Sequence, residues 1–184
     1  MAYVYCTYTE KDQSSINLVA SLLQQLITRR RAISDNIIAL YNHHYHKKTR
    51  PSLAEYSRSL QSEISYFSKV FIIVDALDEC PEGTRKHFLT EVRKLLPNVR
   101  LLVTSRHIPD IENEFKDAAC MEIRASGEDI KSYLEARIEG QLPLARYVKK
   151  NHALRDNILN TVVEKASGMY IPGKILILKS LHIC

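Results

Sequence analysis

At 184 residues the chain is long enough to bury a real core, and its length favours one domain, or one with a small appendage. With 45% apolar and 26% charged residues it has the composition of a folded protein and not of a disordered one. A net charge of +5 with dispersed basic residues argues against nucleic acid as partner, and four cysteines without paired spacing exclude a disulfide frame or zinc finger.

Tyr3 to Tyr8 reads as a strand with Val4 and Cys6 on one face and tyrosines on the other. Ile16, Val19, Leu22, Leu23, Leu26 and Ile27 then recur at helical spacing. Arg29-Arg30-Arg31 reads as a solvated helix end, where cations suit the dipole. Ser34 to Tyr45 is a weaker helix, with His43, His44 and His46 in a basic, tyrosine-rich loop. No acid or cysteine lies close in sequence, which weighs against a zinc site there. Ser52 and Glu55 have capping-box spacing at the start of a helix whose buried stripe is Leu53, Tyr56, Leu60 and Ile64.

Val70 to Val74 is a five-residue apolar run, rich in valine and isoleucine, and predicts a strand buried on both faces. Asp75 closes it, and Asp78 and Glu79 follow. Three acids this close repel one another unless a cation or donor offsets them. Such a cluster suits a magnesium-and-water site at the carboxyl end of a parallel strand, and it equally suits a strand end that caps the next helix. Pro81 and Gly83 predict a turn, with Thr84 capping a helix that buries Phe88, Val92, Leu95 and Leu96. The acids beside Cys80 disfavour its thiolate, so it reads as inert. Leu101 to Thr104 is a second apolar strand, followed by Ser105 and Arg106, and arginine's planar fork matches phosphate. One helix between two such strands makes a βαβ unit, which brings acids and arginine to one sheet edge.

Beyond Pro109, Ile111 and Phe115 mark a short helical turn, and Cys120 to Arg124 is a candidate last strand. Ser126 and Asp129 repeat the capping-box spacing. Helices follow from Pro143 to about Lys150 and from Leu154 to Gly168. The tail from Met169 to Ile183 is too short and too charged to span a bilayer and reads as a core-facing helix. A helix-turn-helix DNA reader is the minor alternative for this end, weakened by the lack of a basic recognition face.

FIIVDALDEC, a helix and then LLVTSRHIPDIE resemble the Walker B and sensor 1 strands of a NACHT domain, within the STAND class of P-loop NTPases. The version is similar to fungal proteins with a nephrocystin-like N-terminal NACHT region. The resemblance runs from Tyr3 to about Met169 and is strongest from Phe71 to Phe115. It implies Asp75 as the magnesium ligand, and Asp78 and Glu79 as the catalytic acids, Glu79 orienting the attacking water. It implies Thr104, Ser105 and Arg106 on the nucleotide side, Arg106 sensing the terminal phosphate. The implied cofactors are Mg2+ and ATP or GTP.

No G-x-x-x-x-G-K-[ST] occurs among the five glycines, Gly83, Gly127, Gly140, Gly168 and Gly173. In the family that loop precedes the segment beginning here at Ala2, so the chain is expected to be truncated at its N-terminus. Its strand is central in the family's sheet, and its loss leaves three strands side by side. Cys120 to Arg124 must then pair directly with Leu101 to Thr104, or leave an open edge that favours self-association. The expected fold is α/β. Residues 1–124 form a partial P-loop NTPase parallel sheet with flanking helices, and residues 125–184 a small helical extension. The implied function is a fragment of an NTP-dependent oligomerisation switch, cytoplasmic and away from membranes, without hydrolysis on its own. The alternative is a non-catalytic scaffold that binds full-length NACHT partners.

Overall fold

A computed structural model describes the chain except for residues 11, 97, 124–125, 141, 169–174 and 180–184, and except for the side chains of 142–144, 165–168 and 175–179. It divides into two compact units, Met1–Met121 with Ile175–Cys184, and Glu122–Lys174.

The first unit is an α/β layer. Strands β1 (Ala2–Tyr5), β2 (Val70–Asp75) and β3 (Val99–Ser105) pair in parallel in that spatial order. Ala2 and Val4 point inward from β1 while Tyr3 and Tyr5 face water, as the alternation predicts. Val70, Ile72 and Val74 of β2 are buried, but Phe71 on the other face is exposed. The sheet is therefore covered unevenly, and the expectation of a strand buried on both faces is corrected to one buried face.

Helix α1 (Ser15–Ile27) starts at Ser14, whose hydroxyl accepts from Asn17 N–H, and buries Leu18, Val19, Leu22, Leu23 and Leu26. Helix α2 (Asp35–Lys47) buries no residue fully, and extends through the three histidines placed by sequence in a loop. Its end turns on Lys48, a non-glycine residue with φ 52°. Helix α3 (Leu53–Ile64) has the complete Ser52–Glu55 capping box and buries Leu60, Glu63 and Ile64. Helix α4 (Glu82–Arg93) starts after Pro81, so Gly83 and Thr84 lie inside its first turn and Thr84 caps nothing. Phe88, Leu89 and Val92 form its inner face. Helix α5 (Pro109–Glu114) carries proline at its first position, where the missing N–H has no consequence.

The sheet does not end at β3. A strand at Ile175–Lys179, β5, pairs antiparallel along Leu101 to Ser105, and β4 (Ala119–Glu122) lies beyond it. Two expectations are thereby corrected. The segment read as a core-facing helix contains a strand, and Leu101–Thr104 is neither an open edge nor paired with the 120–124 segment. A short apolar run such as Ile-Leu-Ile-Leu has no periodicity that separates strand from buried helix, and the available ladder of β3 decides the outcome. The remainder of that tail lies outside the described residues.

The second unit holds helices α6 (Gly127–Glu139), α7 (Leu142–Lys150) and α8 (His152–Gly168). Ser126 and Asp129 form the capping box that opens α6. Its core is small, with Ile138, Val148 and Leu159 buried together. Arg155 and Glu135 pair at 2.6 Å. Among the described residues, no helix is long and apolar enough to cross a membrane.

Candidate functional site

The parallel pairing of β2 and β3 brings the carboxyl ends of both strands to one side of the sheet, and the chain places its acids and Arg106 there. Asp75 is the last residue of β2, Leu77–Glu79 form a single 3-10 turn, and Arg106 follows β3 immediately.

The side chains are tied across the two strands. The Thr104 hydroxyl donates to Asp75 Oδ1 and accepts from Ala76 N–H at 2.9 Å. Arg106 grips Asp78 twice, backbone N–H to Oδ1 at 3.1 Å and Nε to Oδ2 at 2.5 Å. The Asp78 carboxylate is nearly inaccessible at 4% exposure, while the Arg106 side chain is half exposed. That contact, with the charge of Asp78, holds the guanidinium pKa above its ordinary value, and the charge of Glu79 adds to it. The Glu79 carboxylate makes no hydrogen bond or ion pair among the described residues, and the residue is only partly buried. The hydroxyl of Ser105 donates to the Arg106 carbonyl at 2.9 Å, so it turns toward the chain.

Ala76 adopts φ 55°, ψ 48°, a left-handed conformation that costs a residue with a Cβ about 1 kcal/mol or more. Two hydrogen bonds hold it there, the N–H to Thr104 and the carbonyl accepting from Glu79 N–H at 2.9 Å. This bend swings Asp78 back under Arg106. Nothing in the sequence marks an alanine as left-handed, so the turn was not legible.

Behind the acids lies a pair of buried thiols. Cys6 continues β1, its N–H donating to the Asp75 carbonyl at 2.9 Å, and Cys80 closes the acidic turn. A hydrogen bond with Cys80, burial, and the charges of Asp78 and Asp75 push the Cys6 thiol far up. The Cys80 thiol goes the other way, lowered by its bond with Cys6 and by the nearby Arg85. The acids expected to suppress Cys80 thus act on Cys6. Sequence reasoning also missed Arg85, a cation buried at 8% exposure on the first turns of α4. Its only signal was a basic residue shortly beyond three acids.

Hard oxygen donors at a strand end fit a magnesium ion, which needs only one or two carboxylates beside its waters and phosphates. Asp75 and Glu79 supply that chemistry. The phosphate side is less suited, since Arg106 is engaged by Asp78.

Searches of the curated proteins and of the solved structures found no match to this chain. Residues 1–106, which run from β1 through Arg106, match the family described as Nephrocystin 3, N-terminal, and the chain belongs to that family.

Proposed function

We propose that this chain carries the acidic and sensor half of a NACHT-type nucleotide switch, derived from a P-loop NTPase of the STAND class. The observation that carries the reading is the convergence of Asp75, Asp78, Glu79 and Arg106 at one end of two adjacent parallel strands. In this reading Asp75 is the Walker B aspartate and would hold Mg2+, which supplies charge neutralisation at the phosphates when bound. Glu79, unpaired and accessible, accepts a hydrogen bond from a water and orients it. Thr104 holds the Asp75 carboxylate in place, and the Asp78–Arg106 pair is the resting arrangement of the sensor. Arg106 reaches a terminal phosphate only after leaving Asp78.

The phosphate-wrapping loop has no counterpart among the 184 residues, and side chains cannot replace its row of backbone N–H donors. The chain alone is therefore expected to bind ATP no more tightly than about 1 mM, the weak end of the affinity scale. Calorimetry with ATP and magnesium tests this, and micromolar binding by the chain as written would overturn it. Asp75→Asn would then have to abolish magnesium dependence, and Arg106→Ala to weaken triphosphate relative to diphosphate.

A second reading, a non-catalytic scaffold in the cytoplasm that binds full-length NACHT partners or itself, is favoured by one feature. An apolar groove of about 910 Å3 runs between α1, α2 and the chain entering α3, lined by Leu23, Ile27, Ile37, Leu40, Tyr41 and Tyr56 among others. Sedimentation of the chain with and without a loop-containing NACHT protein separates the readings. Co-sedimentation without nucleotide supports the scaffold.

A further inference from the structure

No acid lies close in sequence to the histidines at the end of α2, but the fold supplies one. Glu55, from the first turn of α3, meets His44, with Nε2 and Oε1 3.2 Å apart. His43 joins them, and the ligand atoms of His43, His44 and Glu55 all lie within 4.8 Å of one another. We propose that these three side chains form a binding site for a borderline divalent transition-metal ion, zinc being the commonest, that staples α2 to α3.

The spacing fits the chemistry. Two ligands each about 2.0–2.1 Å from a tetrahedral zinc stand about 3.3 Å apart, close to the His44–Glu55 separation. His43 needs to close by at most about 1.5 Å to reach the same ligand spacing, and its side chain is exposed. Two imidazoles and one carboxylate make three protein ligands and leave a fourth position for water. His43 and Glu55 also line a cleft of about 360 Å3, together with Asn36, Arg58 and Ser59.

The surrounding hydrogen bonds orient the ligands. His44 Nδ1 lies 2.8 Å from Thr49 Oγ1, which leaves Nε2 facing Glu55. The two oxygens of Glu55 are divided between tasks. Oε2 accepts from Ser52 N–H at 2.8 Å and from the Ser52 hydroxyl at 2.6 Å, while Oε1 is turned toward His44. The capping box thus fixes the carboxylate without consuming the ligating oxygen. Outer partners of this kind, on imidazole and carboxylate alike, are what metal sites use to set ligand direction. His44 is shielded at 12% exposure, Glu55 at 28%. Lys47 Nζ stands 3.4 Å from His43 Nε2, a local ammonium that an incoming ion displaces into solvent.

The competing account is an ordinary hydrogen bond, His44 Nε2–H donating to Glu55 with Thr49 donating to Nδ1. It satisfies two residues and gives His43 no part. The ion gives all three a part, and it anchors a helix that buries no residue fully.

Titration of the full chain with zinc chloride in a non-coordinating buffer, followed by calorimetry, tests the site. One equivalent is expected to bind at about 1 μM or tighter. His43→Ala, an exposed position, should weaken it at least about 10-fold, as should Glu55→Gln, which retains a capping-box side chain. His46→Ala should leave it unchanged. Zinc should slow amide exchange across Asp35–Lys47 in the native chain and not in His43→Ala. No saturable binding, or binding that survives His43→Ala and Glu55→Gln, or binding lost with His46→Ala, would overturn the assignment.

Discussion

The side-chain amide of Gln25 takes the place of a neighbouring strand for Tyr3. Its Nε2 donates to the Tyr3 carbonyl at 2.7 Å, and its Oε1 accepts from the Tyr3 N–H at 3.0 Å. Tyr3 lies on β1, the first strand in the sheet order, whose outer edge has no strand beyond it among the described residues. Natural sheets protect such edges against pairing with other chains, and here one glutamine on α1 does so. Gln25→Ala is expected to cost only about 0.5–1.5 kcal/mol, because water can reach the released groups. Its larger effect should be association. Gln25→Glu keeps the acceptor but sets a carboxylate oxygen against the Tyr3 carbonyl, and should be worse in both respects. Urea unfolding and sedimentation velocity check this, and an unaltered monomer in both variants would contradict it.

Gly83 sits in the first turn of α4 with φ in the normal negative range, and a Cβ built there meets nothing within 4 Å. Glycine in such a place loses backbone freedom on folding and returns no contact. Gly83→Ala should therefore raise stability by about 0.4–1 kcal/mol, chiefly through the unfolded chain. Thermal unfolding measures it. A decrease would mean that the turn before α4 needs the freedom its sequence suggested.

What was legible in the sequence is what depends on neighbours in the chain. The capping boxes at Ser52–Glu55 and Ser126–Asp129, the stripe of α1 and the strand character of Val70–Val74 are set by residues a turn or less apart. The acids and Arg106 could be placed together because a βαβ connection leaves little choice of edge. What was hidden is long-range or conformational. Ala76 gives no sign of its positive φ, and Ile175–Lys179 becomes a strand only because β3 offers a ladder. Glu55 reaches His44 only because the chain brings the start of α3 back beside the end of α2.

The Asp129 carboxyl is held below its ordinary 3.8 by the Ser126 hydroxyl and then by the Ser126 N–H. A depressed acid stabilises the fold above its unfolded pKa, and that contribution is lost as pH falls through the lower folded value. The start of α6 should thus loosen in acid, below about pH 4, the unperturbed range for aspartate. A carboxyl NMR titration should show Asp129 with a midpoint under 3.8, and Ser126→Ala should move it back up. A midpoint already ordinary in the native chain would refute the capping box in solution.

Glu63 is the one buried acid of α3, 1% exposed, and its partners come from the chain between α1 and α2. Arg30 donates to Oε2 at 2.9 Å and the Ser34 hydroxyl to Oε1, while the guanidinium also lies 3.9 Å over the Tyr66 ring. Arg30 was placed by sequence in a solvated cluster, but it is the cation that keeps a carboxylate inside. The two halves of the pair are not equivalent. Arg30 retains 21% exposure and can turn to water if Glu63 is removed. Glu63 has no such escape if Arg30 is removed, and only Ser34 would remain to satisfy it. Arg30→Met should therefore cost about 3–5 kcal/mol, the range for an uncompensated buried charge. Glu63→Met should cost less, about 1–2 kcal/mol, since an apolar chain of similar volume replaces the ion. The double variant should lie closer to Glu63→Met than to the sum, because the stranded charge is gone. Urea unfolding of the three variants decides it, and equal losses from both single changes would show that burial of Glu63 is not what makes Arg30 necessary.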